Sequence, residues 1–185
     1  MMGRLAIAIS GKPGTGKTVY AKHLSRVFGL RYVSSGELFR RIAQERGLDL
    51  LELHRLAEQD ASIDLEVDRR AIEEARRGGA VVEGHLAVWV LRDIADLKVV
   101  LVAPLSVRAE RVAKRDGKNV EEALREIERR EESNRARALK YYGIDIEDLS
   151  AADLVINTAV LDVEGVKRVL ETFVEEYLRL HPDKR

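Results

Sequence analysis

Short apolar runs alternate along this chain with longer stretches in which apolar residues recur at helical spacing. The runs are Leu5 to Ile9, Arg31 to Val33, Ala80 to Val82, Leu97 to Val102 and Leu154 to Ile156. They are short and mostly apolar on both faces, the pattern of strands covered by helices on either side. Strands that alternate with helices form βαβ units, and such units build a parallel sheet. The pattern therefore predicts an α/β fold with three layers around a five-stranded parallel sheet.

Two segments stand outside that pattern and are expected to be insertions. The first, from Ser34 to about Arg70, reads as short helices broken at Gly47 and near Ser62-Ile63-Asp64. The second follows the fourth strand. Pro104 and Ser106 start a helix there, Asp116-Gly117 ends it, and Asn119 can cap the next one. That next helix carries an apolar stripe at Val120, Leu124 and Ile127, and then the stripe stops. From Glu128 to Arg137 there is no large apolar residue, so no packing of this stretch into a core is expected. Arg130, Asn134 and Arg137 lie at i, i+4 and i+7 and share a face. A helix polar all round is either solvated, knitted by weak Glu–Arg pairs, or turned toward a polar ligand.

Candidate chemistry enters just after the first apolar run, with Gly11, Lys12, Pro13, Gly14, Thr15, Gly16, Lys17 and Thr18 leading into a helical pattern. The spacing G-x-x-x-x-G-K-[ST] between strand and helix is that of a phosphate loop. Glycines let backbone N–H groups wrap phosphate oxygens, the Lys supplies a mobile cation, and the Thr hydroxyl can hold Mg²⁺. The dipole and unpaired N–H groups of the helix point at the same spot. The domain is thus expected to be of the P-loop NTPase type, with a nucleoside triphosphate as ligand. A strand-end acid, Glu83, closes the run Ala80 to Val82 and should emerge at the carboxyl edge of the sheet near this loop, in reach of Mg²⁺-water or nucleotide.

Composition narrows the class. At 185 residues and 45% hydrophobic content, the chain can bury one good core. Its 32 basic and 32 acidic residues cancel, so nothing calls for nucleic acid or an anionic membrane as partner. Cysteine is absent, no apolar run approaches the ~18 residues of a membrane span, and the N-terminus has no signal-peptide pattern. A cytoplasmic protein working on small molecules is expected. Charged residues make up 35% of the chain, while Asn, Gln and Met are scarce, a balance like that of proteins from hot environments.

Beyond the loop, the chain carries Ser34-Ser35-Gly36-Glu37-Leu38-Phe39-Arg40-Arg41, Val81-Val82-Glu83-Gly84, Ala103-Pro104-Leu105-Ser106-Val107-Arg108-Ala109-Glu110-Arg111, Arg130-Glu131-Glu132-Ser133, Tyr142-Gly143-Ile144-Asp145 and Asp153-Leu154-Val155-Ile156-Asn157-Thr158. With these motifs in this order it resembles the nucleoside monophosphate kinases, most closely the short archaeal-type cytidylate kinases, over nearly its full length. The resemblance implies a single P-loop kinase domain over 1–185, with a nucleotide-acceptor insertion at about 34–70 and a lid at about 116–142. It implies ATP as phosphoryl donor, Mg²⁺ and nucleotides as partners; a monomer is expected. Residue by residue, it assigns Ser35 and Arg40 to the acceptor, with Arg40 on its α-phosphate, and Glu83, Gly84 and His85 to the same site. Arg111 would lie beside the adenine and Arg115 near the phosphates; Arg108, one turn earlier, is the weaker candidate. Arg130 and Arg137 would meet phosphates or the acceptor's phosphate and base edge. Lys17, Arg111, Arg115, Arg130 and Arg137 are the expected catalytic set.

Two positions depart from that pattern. Gly84-His85 stands where the cytidylate kinases usually have Gly-Arg, and Asn134 stands where they carry an acid able to accept from the cytosine amino group. An amide can both accept and donate, so it separates cytosine from uracil less sharply. CMP and dCMP remain the first choice of acceptor, with UMP or AMP credible. A P-loop ATPase or nucleotide-regulated module without a nucleotide acceptor is the alternative class. His23, His54 and His181 show no metal-ligand spacing. Trp89 and Tyr142 could stack on a base, although core packing is the more ordinary role for such residues.

Overall fold

A computed structural model describes residues 4–185. The strands are β1 (Ala6–Gly11), β2 (Arg31–Ser34), β3 (Ala80–Glu83), β4 (Leu97–Val102) and β5 (Leu154–Asn157). The helices are α1 (Lys17–Val27), α2 (Ser35–Glu45), α3 (Leu50–Gln59), α4 (Ala61–Arg76), α5 (Ala87–Val90), α6 (Leu105–Asp116), α7 (Val120–Tyr142) and α8 (Val163–Leu180). All strand pairs are parallel, in the order β2-β3-β1-β4-β5. After β3 the chain crosses over β1 to reach β4, so the carboxyl end of β1 lies where the connections part to opposite sides. Open α/β sheets bind ligands at such a point.

Alternation along each strand separates two cores. Ile7 and Ile9 of β1, Val81 of β3 and Val99 and Leu101 of β4 face α1 and α8, packing with Leu24, Leu170 and Val174. Ala8, Val82 and Val100 face the other way, toward Ile42, Leu53, Ile63 and Val88 of α2 to α5. This two-sided burial is why the strands read as unbroken apolar runs. β1 extends to Gly11, beyond the apolar run, because buried Ser10 accepts a hydrogen bond at 2.9 Å from the Val88 N–H and so satisfies its hydroxyl.

The helical segments differ from expectation in detail. The break between α3 and α4 falls at Asp60, ahead of Ser62-Ile63-Asp64, because the Asp60 carboxylate accepts from the Ser62 N–H at 2.9 Å and starts a new helix. Asp49 closes a capping box with Glu52 at the start of α3. Helix α6 begins directly after Pro104 with no side-chain cap, rather than at Ser106. Gly117 and Asn119 act as expected, in the left-handed conformation and as the cap of α7.

Helix α7 corrects a larger expectation. Ala123 and Ile127 do pack on Ala109, Val112 and Ala113 of α6, while Val120 is left half-exposed. Beyond Ile127, however, α7 has a buried side: Arg137 and Ala138 are enclosed. That side is sealed by polar contacts to α3 and α4 instead of by large apolar residues. Ser133 donates to Glu58 at 3.0 Å, and Tyr141 donates to the Ala57 and Glu58 carbonyls at 2.9 Å. Tyr142 donates to Asp68, and Arg137 to Asp64. The polar stretch is therefore a seam between two helical segments.

Candidate nucleotide-binding site

The phosphate loop joins β1 to α1 at the carboxyl edge of the sheet. Gly14 has φ of 83°, and a Cβ there would lie 2.7 Å from the Arg108 carbonyl oxygen, so only glycine lets the loop lie against α6. Thr15 is buried; its N–H and hydroxyl both turn to the Lys12 carbonyl, at 3.3 and 2.8 Å. Lys17 reaches the same carbonyl at 3.3 Å. Its surroundings push its pKa down to about 8, first through desolvation and then through Arg130, Arg108 and Arg115, with Glu83 opposing. A lysine held among other cations is short of negative charge. Phosphate supplies that charge.

Glu83 stands in the expected place. It is buried at the end of β3, accepts from Thr18 Oγ1 at 3.2 Å and from the Tyr32 hydroxyl at 3.0 Å. The next residue, Gly84, meets Ser35 so closely that a Cβ would fall 2.5 Å from its hydroxyl oxygen. This contact brings the start of α2 to the edge of β3. Arg40, exposed on α2, curls back toward the same helix start: a Cβ on Gly36 would lie 3.8 Å from Arg40 Nη1. Ser35 and Gly84 thus meet across 49 positions of sequence, with Arg40 one turn along the same helix.

The arginines divide by what they already hold. Arg111 donates to the Gly14 carbonyl at 3.3 Å, to Thr158 Oγ1 at 2.9 Å and to the Thr158 carbonyl at 2.7 Å. Thr158 in turn donates to Thr15. With these donors committed, Arg111, expected beside the adenine, braces the loop from behind. Arg115 is exposed and bonded bidentately to Asp116 at 2.6 and 2.7 Å. Arg108, the weaker candidate in sequence, is buried against the loop and bonds the Pro13 and Ala103 carbonyls at 3.2 and 3.0 Å and Glu131 of α7. Arg130 is half-exposed, 3.6 Å from Glu126, and its field lowers the pKa of Lys17, His85 and His54 alike.

Arg137 too is held by protein partners. It is buried, and Nη1 meets both oxygens of Asp64 at 2.8 and 3.0 Å, while Nη2 donates to Asn134 Oδ1 at 2.9 Å. Burial pushes the Asp64 carboxyl up, and Arg137 opposes that shift. Removing one partner of such a pair leaves an uncompensated buried charge, at about 3–5 kcal/mol. Arg137 is thus no loose phosphate clamp; only another anion can replace Asp64 on equal terms. His85 lies close to these cations. Desolvation, then Arg137, Lys17 and Arg130, pull its pKa down to about 3, so its imidazole is neutral at any working pH.

Beside the loop is a cavity of about 180 Å³. Lys12, Pro13, His85, Trp89, Asn134 and Leu149 are among its walls. The Trp89 indole N–H is tied to the Asp148 carbonyl at 3.0 Å, which fixes the ring. Tyr142 is committed to Asp68 and is not placed for stacking. Lys12 is held by Glu147 at 2.8 Å and faces Glu131 at 3.8 Å. Sequence patterning gave no signal for Glu147 or Asp64 as parts of this region, and Glu131 entered only within the motif Arg130-Glu131-Glu132-Ser133.

Residues 6–160 match the cytidylate kinase-like family. The chain belongs to that family. It is 46% identical over 175 residues to a cytidylate kinase of Staphylothermus marinus, covering 95% of this chain and 99% of that protein. Over 165 residues it is 51% identical to a cytidylate kinase of Pyrobaculum aerophilum, covering 89% of this chain and 90% of that protein. Among solved structures, shikimate kinase from Bacteroides thetaiotaomicron superposes with a TM-score of 0.63 at 16% identity, covering 92% of this chain and 98% of that one. A gluconokinase from Sinorhizobium meliloti gives 0.61 at 16% identity, with 98% of each chain covered. At such identity these establish the shared fold alone. The hot-environment composition of this cytidylate kinase-like chain fits its archaeal relatives.

Proposed function

We propose that this cytidylate kinase-like protein transfers the γ-phosphoryl group of ATP to a nucleoside monophosphate, with CMP or dCMP as acceptor. The observation that carries the reading is the juxtaposition at one sheet edge of the phosphate loop with Ser35 and Arg40 of α2. A loop alone makes an ATP site; a second anion-binding edge beside it makes a transferase. Family membership supplies the acceptor class, since the relatives are cytidylate kinases.

In this reading α2 to α4 hold the acceptor and the α6–α7 hairpin is the lid. An acceptor phosphate oxygen is already ionised, so attack on the γ-phosphorus needs no general base. It needs alignment and compensation of charge on the transferring group. Lys17 and Arg130 supply cations at the loop mouth, and Arg108 and Arg111 hold the loop in shape behind them. Thr18 Oγ1 and Glu83 Oε1, 3.2 Å apart, are hard oxygen donors that would hold Mg²⁺ beside the nucleotide. Bound there, Mg²⁺ would neutralise phosphate charge. The lid excludes water, which would otherwise accept the phosphoryl group.

Neutral His85 keeps one ring nitrogen as an acceptor and can take a hydrogen bond from the cytosine amino group. Uracil has no amino group there. Among the described residues no helix is long and apolar enough to cross a membrane, and we take the substrates to be free nucleotides. The test is a panel of CMP, dCMP, UMP, AMP and GMP with ATP and Mg²⁺, monitored by ADP release. CMP and dCMP are expected to give the highest kcat/KM. Equal ADP release with and without every monophosphate would defeat the reading.

A further inference from the structure

Asp64 belongs to none of the motifs and lies in α4, yet both its carboxylate oxygens face one nitrogen of Arg137 across the seam. The other terminal nitrogen of Arg137 donates to Asn134. A guanidinium has donors only, so the Asn134 atom that meets it is the carbonyl oxygen. The NH₂ group of Asn134 is therefore what remains for other partners. Asn134 lines the cavity that also contains His85 and Trp89. Arg137 Nε is buried and, among the described residues, has no acceptor, so the guanidinium is held in place by Asp64 and Asn134 alone.

We propose that Asp64 is a positioning residue for the acceptor nucleotide: it locks the Arg137 guanidinium and, through it, turns the Asn134 amide so that the cavity is offered hydrogen-bond donors. The proposal rests on the phosphotransferase reading of the cleft. The ligand edge that fits carries acceptor atoms, a ring carbonyl oxygen or an unprotonated ring nitrogen such as the O2 and N3 of cytosine. An acid at position 134, as in the family pattern, would present the opposite polarity. In this chain, base recognition at position 134 is thus donation by the protein, fixed from a helix 70 residues away in sequence.

The test uses the full chain with ATP, Mg²⁺ and CMP. Wild-type turnover reports on the phosphotransferase reading; the ratio of variant to wild type reports on Asp64. Asp64→Asn keeps the volume and removes the charge. The KM for CMP is expected to rise about tenfold or more while the KM for ATP stays within about twofold. The double variant Asp64→Asn with Asn134→Asp moves the single carboxylate to the other side of Arg137. Its melting temperature is expected to return to within about two degrees of wild type. Its KM for CMP should stay raised, because residue 134 no longer donates. An unchanged KM for CMP in Asp64→Asn, or an equal rise for both substrates, would overturn the proposal. So would recovery of CMP affinity together with stability in the double variant, since donation from position 134 would then not be required. If Asp64→Asn does not fold, the double variant decides by the same criteria.

Discussion

At the scale of single residues, charge compensation governs the cleft. Lys17 has a pKa near 8, below its ordinary value, because burial and three arginines disfavour its proton. Its charge is complete below that pH and lost above it. The kcat/KM for ATP, which reports the free enzyme, is therefore expected to fall as pH rises through about 8. The kcat profile should hold to higher pH, since bound phosphate restores the proton. Lys17→Ala should lower kcat by about 10²–10³-fold and remove that limb of the profile, with the fold intact by circular dichroism. Arg111 makes a different expectation. Arg111→Ala unpins Gly14 and Thr158, so it should lower the melting temperature by several degrees, about 1–3 kcal/mol, and weaken ATP binding. An unchanged melting temperature would contradict the brace. That Lys17 sits at a phosphate loop is legible in sequence, because the motif fixes both its neighbours and its backbone. Which of Arg108, Arg111 and Arg115 points where is not, because all three lie on one helix face and differ only in distance from the loop.

Elements tell the same story in another form. Each strand was legible because burial on both faces writes a continuous apolar run. Boundaries shifted where a polar group found a buried partner, as Ser10 did at Val88, and where an acid capped a helix early, as Asp60 did. The seam between α7 and α3–α4 could not be read, because a polar helix face does not name its partner, and Asp64 lies 73 residues from Arg137. The seam also has a pH signature. Desolvation and Asp64 push the Asp68 carboxyl up to about 6, against the bond from Tyr142 and the charge of Arg137. Its folded pKa exceeds the unfolded value, so the folded state binds the extra proton and this group destabilises the fold as pH rises from about 4 to about 6. Asp68→Asn removes that titration. Urea unfolding should show a flatter stability profile over that range for the variant, and a profile parallel to wild type would contradict the assignment.

For the whole molecule, the central claim is that two anion sites meet at one sheet edge and are closed by a hairpin with a small core of its own. The five-stranded parallel sheet follows from the sequence pattern, while its strand order, with the loop at the crossover, is set by the fold. The direction of transfer follows from the neighbours of that loop, with Ser35 and Arg40 on one side and Arg130 on the other. The measurement that tests this most directly is the product balance of ATP, Mg²⁺ and CMP incubated with the purified chain and resolved by ³¹P NMR. One CDP formed per ADP, with negligible inorganic phosphate, is the expected result. ADP accompanied by an equal amount of inorganic phosphate and no CDP would contradict the account.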